Sequence, residues 1–254
     1  TLEPVKEGGE HPCAVKTKDV YQQARFIGQR IVELTQEGMP LSEIAVLFRS
    51  RFQALELEME LLKRNIPYII RGGLRFFEQA HIKDTLAYLK IIANSKDEIS
   101  FKRAVSLHRG IGRSYAFKIW DRYRYEDQNL EAIAKSLPKR QRDGFREFLG
   151  LINKLKNTKS PSQAIYEVLT VYRDYCHLSF DNADERILDI EELAKLAGTY
   201  PTIRQFLLEM GGFEDFKGET RLSPDEREET LVLSTIHQAK GLEWETVFII
   251  GFTE

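Results

Sequence analysis

Cysteine is nearly absent: Cys13 and Cys176 are the two in 254 residues. Thiols so far apart in sequence form no metal-ligand pattern, and they suit a reducing compartment in which both stay free. The five histidines, His11, His81, His108, His177 and His237, are scattered, and no His/Cys/carboxylate group has zinc spacing, so no metal site is expected. No apolar run approaches the roughly 20 residues that cross a bilayer, which excludes a spanning helix. Thr1-Leu2-Glu3-Pro4-Val5-Lys6-Glu7 has neither a basic start nor an apolar core, so it does not read as a signal peptide. Thr in place of Met at position 1 suits a piece of a longer chain. An excess of positive charge is missing too: 37 Lys and Arg against 39 Asp and Glu leave a net −2. Any nucleic-acid site must therefore be a local basic patch or a set of backbone donors. No Gly-x-x-x-x-Gly-Lys-Ser/Thr occurs, so no loop here is built to cradle β- and γ-phosphates. Nor does an Asp-Glu pair follow a strand as a magnesium site.

What is present is the composition of a globular protein, 42% hydrophobic and 30% charged, long enough for one large domain or two smaller ones. Val20, Ala24, Ile27, Ile31 and Leu34 recur at helical spacing, with Thr17 as a cap and Gly38 as the stop. Ile44-Ala45-Val46-Leu47-Phe48 is an unbroken apolar run of strand length, suited to a strand buried on both faces. A helix carrying Leu55, Met59 and Leu62 ends near Asn65. Pro67-Tyr68-Ile69-Ile70 then leads to a turn at Gly72-Gly73. This is α/β order, in which ligands bind beyond the C-terminal ends of the strands, where Arg49-Ser50-Arg51 sits.

From Ser95 the strand signals give way to helical patterns. These are Phe145, Phe148, Leu149, Ile152 and Leu155; then Ile165, Val168, Leu169 and Tyr172; then Ile187, Ile190, Leu193 and Ala197. Ser160-Pro161 and Tyr200-Pro201 read as helix starts, and Gly198 and Gly211 as stops. An acid-rich connector spans Phe213 to Thr230. Leu231-Val232-Leu233-Ser234 and Val247-Phe248-Ile249-Ile250 then restore short buried strands. The fold class expected is α/β with a partial parallel sheet in residues 1–94 and 225–254, interrupted by an inserted all-helical domain at 95–224.

Ser234-Thr235-Ile236-His237-Gln238-Ala239-Lys240-Gly241-Leu242-Glu243-Trp244 follows a strand end as a compact loop. On physics alone two readings stand: a ligand edge, or a capping histidine beside a solvated Lys240/Glu243 pair. The string resembles motif V of superfamily 1 helicases of the UvrD, Rep and PcrA type, T-hydrophobic-H-x-A-K-G-L-E. Thr235, His237, Ala239, Lys240, Gly241, Leu242 and Glu243 all match. A second stretch is also similar to that family: Val46-Leu47-Phe48-Arg49-Ser50, Glu56, Ile66-Pro67-Tyr68, Gly72 through Glu78, Ile82-Lys83-Asp84 and Leu86 through Leu89. In isolation Phe76-Phe77 is a core aromatic pair and Lys83-Asp84 an ordinary helix charge pair. Relatives often carry Arg at Leu55 and Gln79 and Glu at His81, so contacts at those positions are not carried over.

His108-Arg109-Gly110-Ile111-Gly112-Arg113-Ser114 joins two helical patterns. Two glycines around one apolar residue let a turn expose its amides at the start of the next helix, a phosphate site without base readout. A plain helix turn is the other reading, but the segment lies where relatives carry an Arg-Gly-Ile-Gly loop that grips duplex DNA. Lys102, Arg103, Arg122 and Arg124 flank it, as extra basic surface or as ordinary solvated charge. Tyr172, Tyr175 and Tyr200 sit at helical spacing and read as core.

The resemblance implies the following. The chain is part of a RecA-like motor domain interrupted by an accessory domain, belonging to an ATP-dependent 3′–5′ DNA helicase of repair or replication. Lys240, Gly241 and Glu243 bind nucleotide, Glu243 through the ribose. His237 and Arg49 lie near the tracked single strand. Arg109, Gly110, Ile111, Gly112 and Arg113 hold the duplex or junction. ATP and Mg serve the whole protein, the magnesium ligands lying outside this stretch. Location is cytoplasmic, nucleoid-associated if bacterial, with DNA-repair proteins as further partners. The alternatives are the helicase part of an AddA/RecB-like helicase–nuclease, and a protein-docking module without catalysis.

Overall fold

A computed structural model describes residues 11–71, 76–125, 130–211 and 230–251. The Gly72-Gly73 turn and nearly all of the acidic connector fall outside these residues. By backbone contacts the chain divides into two compact units, Thr1–Tyr68 with Glu228–Glu254, and Ile69–Arg227.

The first unit is built on α1 (Val20–Gln36), β1 (Ile44–Phe48), α2 (Leu55–Lys63), β2 (Tyr68–Ile70, where the chain passes into the second unit), β3 (Leu231–Thr235) and β4 (Thr246–Ile249). The sheet order is β2-β3-β1-β4. β1 is parallel to β3, with Phe48 beside Thr235, and parallel to β4, with Leu47 beside Ile249. Its neighbours thus come from the far end of the sequence, and the chain between β2 and β3 is looped out of a single sheet.

Ala24, Ile27, Gly28, Ile31 and Leu34 form the buried face of α1. The cap is Asp19, whose carboxylate accepts from the Gln22 amide, rather than Thr17. A bend at Lys18 and Asp19 separates Thr17 from the first helical turn. Gly38 follows the helix at φ 97°, a left-handed conformation that makes glycine the natural stop. β1 is buried nearly throughout, as its apolar run requires. β4 is not: Val247 and Ile249 are exposed at 44% and 56%, because among the described residues β4 is a sheet edge with one open face.

The second unit is helical: α3 (Ala80–Ala93), α4 (Glu98–Val105), α5 (Arg113–Tyr125), α6 (Leu130–Ser136), α7 (Lys139–Lys156), α8 (Pro161–Ser179), α9 (Ala183–Ala197) and α10 (Ile203–Gly211). Helix α3 is buried over most of its length and lies against α4, α7, α8, α9 and α10. Ser160 caps α8 with Pro161 in the first turn. Helix α10 starts at Ile203, later than Tyr200-Pro201, with the Thr202 hydroxyl accepting from the Gln205 amide. Phe76 and Phe77 are buried edge to face at 5.3 Å. Phe101 forms a second aromatic cluster, stacked on Tyr123 at 4.9 Å and edge-on to Phe148 at 5.4 Å.

Lys83-Asp84 is not a simple surface pair. Asp84 is buried and receives Arg103 Nε at 2.6 Å and the Tyr172 hydroxyl at 2.7 Å. Next to it in α3, His81 is fully buried, with Nε2 3.0 Å from Asp189 and Nδ1 2.9 Å from Arg186. Because a guanidinium only donates, Nδ1 accepts and Nε2–H donates to Asp189, which fixes the neutral tautomer. Among the described residues no helix is long and apolar enough to cross a membrane.

Candidate nucleotide and nucleic-acid interface

In the first unit the site residues gather at the C-terminal ends of adjacent parallel strands. Phe48, the last residue of β1, accepts the Ile236 amide through its carbonyl at 3.0 Å, and this seats the loop that leaves β3. The loop then folds on itself: the amides of Gln238 and Ala239 donate to the Thr235 carbonyl, and Leu242 donates to Ala239, each at 3.0 Å. Ala239 is buried beneath it. Gly241 adopts φ 81° in open space, so backbone conformation rather than crowding calls for glycine there. This wrapping leaves His237, Lys240 and Glu243 exposed, and no ion pair or side-chain hydrogen bond ties any of them to another described residue. Arg49, at the end of β1, is likewise exposed. An imidazole, an ammonium and a carboxylate on one short loop supply a donor–acceptor, a cation and a hydroxyl acceptor at the ligand edge of a parallel sheet.

Gln53 was not evident as a site residue. It lies in the short 3-10 turn Arg51–Ala54, and its Oε1 accepts from the amides of Arg49 and Ser50, both at 3.0 Å. Its Nε2 donates to the Gly251 carbonyl after β4 at 3.4 Å. Ser-x-x-Gln at positions 50–53 is a capping box, and that half was legible. The bond to Gly251, 198 residues on, was not.

In the second unit, His108 to Ile111 form a tight turn closed by the Ile111 amide on the His108 carbonyl at 3.0 Å. Gly110 at φ 81° takes the position that requires it. It is also crowded: a Cβ there would come within 2.9 Å of Arg140 Cγ. Gly112 differs, with nothing within 4 Å of a Cβ, and its carbonyl accepts the first α5 bond, from the Ala116 amide. So one glycine makes the turn and the other keeps the start of α5 open. Ile111 is buried as the anchor, and Arg109 and Arg113 are exposed.

The turn rests on α7. At Gly144 a Cβ would lie 2.2 Å from the Arg109 carbonyl oxygen, so the helix backbone and the turn backbone are in direct contact. A glycine inside an apolar helical pattern costs about 1 kcal/mol relative to alanine, and that was the available signal for a packing role. Below the turn, buried His108 bridges Tyr88 Oη at 2.9 Å and Glu147 at 3.0 Å. Burial pushes the imidazole pKa down, and the Glu147 hydrogen bond opposes it. An open groove of about 660 Å³ beside the turn is lined by Arg109, Lys139, Arg140, Asp143, Gly144 and Glu147.

The flanking cations are engaged elsewhere. Lys102 pairs with Glu98 and covers the Phe117 ring, Arg103 serves Asp84, Arg122 donates to Ser136, and Arg124 faces Asp121. Tyr172 is buried on Asp84.

A family model described as the UvrD-like helicase C-terminal domain matches residues 2–254. The chain belongs to that family. DNA helicase II of Escherichia coli (strain K12) is 31% identical over 268 residues, covering 95% of this chain and 36% of the relative. The ATP-dependent DNA helicase PcrA of Bacillus subtilis (strain 168) is 29% identical over 265 residues, 92% of this chain and 34% of the relative. PcrA of Staphylococcus epidermidis (strain RP62A) is 31% identical over 251 residues. The chain thus spans about a third of the length of these relatives. Family membership accounts for the architecture: a UvrD-like α/β sheet, partial and RecA-like, together with a helical region.

Proposed function

We propose that this chain is the nucleotide- and DNA-facing part of the second motor domain of an ATP-dependent 3′–5′ DNA helicase, with its accessory domain inserted. The observation that carries the reading is the exposed His237, Lys240 and Glu243 at the mouth of β3, next to Arg49 at the mouth of β1. Glu243 fits a ribose: an unpaired carboxylate accepts from vicinal hydroxyls and gains by it. Lys240 adds a cation, and Gly241 leaves room for close approach. Bound ATP supplies the phosphoanhydride whose cleavage drives movement. His237 and Arg49 contact the tracked strand, Arg49 as a phosphate donor. The groups here hold one side of a nucleotide, and the sequence has no phosphate-cradling glycine loop. Among the described residues no cluster of His, Cys, Asp or Glu fits a metal ion, so magnesium is not assigned to them.

In the accessory domain, the turn at Arg109–Arg113 binds duplex phosphates through exposed amides at the start of α5 and through two free guanidinium groups. Binding is then salt-sensitive and indifferent to sequence. Fluorescence anisotropy on labelled single strands, duplexes and fork junctions across a salt series tests this. The expected result is preference for duplex or junction, loss of that preference in Gly112→Leu, and no ATP turnover by the chain alone. Equal duplex binding by Gly112→Leu, whose side chain enters open space, refutes the turn; absence of DNA binding by the unaltered chain refutes the reading as a whole.

A further inference from the structure

Three neighbouring strands end at one level, and one side chain links two of their exits. The Ile236 amide bonds the Phe48 carbonyl, and the Ile250 amide bonds the Leu47 carbonyl, so the exits of β3 and β4 are both referenced to the end of β1. Beyond that level, Gln53 ties the β1 exit to the β4 exit. One carboxamide oxygen takes two successive amides, Arg49 and Ser50, while the nitrogen reaches Gly251. Gly251 is fitted to it: φ is 68°, and a Cβ would fall 2.4 Å from Gln53 Nε2. Hydrogen bonds alone would suffice to cap a turn. The crossing to Gly251, with backbone shaped to admit it, has no capping purpose.

We propose that Gln53 is a positioning residue for single-strand contact: it holds the Arg49 backbone in register with the end of β4, so that the Arg49 guanidinium is presented to a phosphate from a rigid rim. This rests on the reading of Arg49 as a strand contact. Without the carboxamide, Arg49 and Ser50 lose the acceptor of both amides, and the guanidinium starts from a mobile backbone. Arg49 would then find the phosphate in only a fraction of encounters.

The test is a titration of this chain with a fluorescent oligothymidine over a series of salt concentrations, for the unaltered protein, Gln53→Leu, Arg49→Ala and the double variant. Gln53→Leu is expected to weaken binding several-fold and to flatten the log K against log salt slope by about 0.7, the loss of one single-strand phosphate contact. The double variant is expected to match Arg49→Ala. A merely structural role lowers the active fraction but leaves the slope unchanged, and that outcome, or additive losses in the double variant, overturns the proposal. Amide hydrogen exchange of the unaltered chain gives a reading independent of how Gln53→Leu folds. Slow exchange at Arg49 and Ser50 is expected, and exchange at the rate of free loop amides overturns it. If Arg49→Ala binds like the unaltered chain, the strand-contact reading of Arg49 fails, and with it the proposal; if Arg49→Ala weakens binding and Gln53→Leu does not, only the positioning role fails.

Discussion

Helix α7 contains two glycines that make opposite predictions under the same substitution. At Gly144 an added Cβ would sit 2.2 Å from the Arg109 carbonyl oxygen and 3.1 Å from its carbon. Ordinary contact begins near 3.4 Å, so the turn or the helix must retreat by about 1 Å. Neither neighbour is a flexible side-chain tip; both are backbone, and the helix is anchored next to Gly144 by the buried Phe145 and Phe148. Overpacking of this kind costs about 1–3 kcal/mol. Replacing glycine by alanine inside a helix returns about 1 kcal/mol. The net expectation for Gly144→Ala is a loss of about 0–2 kcal/mol, a fall of up to roughly 5 °C in the melting midpoint for a body of this size. Gly150, on the same helix, has nothing within 4 Å and is exposed. There the propensity gain stands alone, and Gly150→Ala is expected to stabilise by about 0.5–1 kcal/mol. Thermal and urea unfolding followed by circular dichroism at the helical band measures both. If Gly144→Ala stabilises as Gly150→Ala does, the turn does not rest on α7 and the account of its rigidity is wrong.

The buried carboxylate of Asp84 offers a second check. Arg103→Met leaves it with the Tyr172 hydroxyl alone and is expected to cost about 3 kcal/mol, whereas Tyr172→Phe is expected to cost about 1–2 kcal/mol; urea midpoints measure both, and near-neutral Arg103→Met contradicts the pairing. The third concerns pH. Burial lowers the His108 pKa, so the fold favours the neutral imidazole while the unfolded chain takes up its proton near the ordinary value of 6.5. The stability this confers is complete above 6.5 and is lost as pH falls from there toward the lower folded value. His108→Gln is expected to show a smaller decline in urea midpoint between pH 7.5 and 5.5 than the unaltered chain, and parallel declines refute the assignment.

What could be read from the chain was what is local. The β1 strand, the helical face of α1, the α8 start at Ser160-Pro161 and the Gly110 turn each depend on residues within a few positions of one another. Each has a residue-type signature: an apolar run, a 3.6-residue period, a cap followed by proline, a glycine at positive φ. The loop after β3 was legible as a pattern for the same reason. What stayed hidden was set by distant contacts. Lys83-Asp84 looked like a helix pair because its neighbours do not reveal Arg103 and Tyr172. Gly144 carried a propensity penalty whose reason lies 35 residues earlier, at Arg109. The exposure of Val247 and Ile249 depends on strand order, which apolarity alone does not encode.

The same division governs how the site responds to change. The side chains of His237, Lys240, Glu243 and Arg49 are exposed and make no ion pair or hydrogen bond with a described residue. Substituting surface groups of that kind usually moves stability by less than about 0.5 kcal/mol. A loss of binding in such a variant therefore reports contact with the ligand rather than damage to the fold. Gly110, Gly144 and His108 are the reverse case, since each is part of the packing that sets the turn, and changing any of them alters shape and binding together. Gln53 lies between these classes. It is half-buried and bonds backbone on two strand exits, yet it fills no core volume. A rim held by hydrogen bonds rather than by apolar packing can be loosened without unfolding the sheet beneath it. That is why a change in salt slope, and not a melting temperature, separates a positioning role from a structural one.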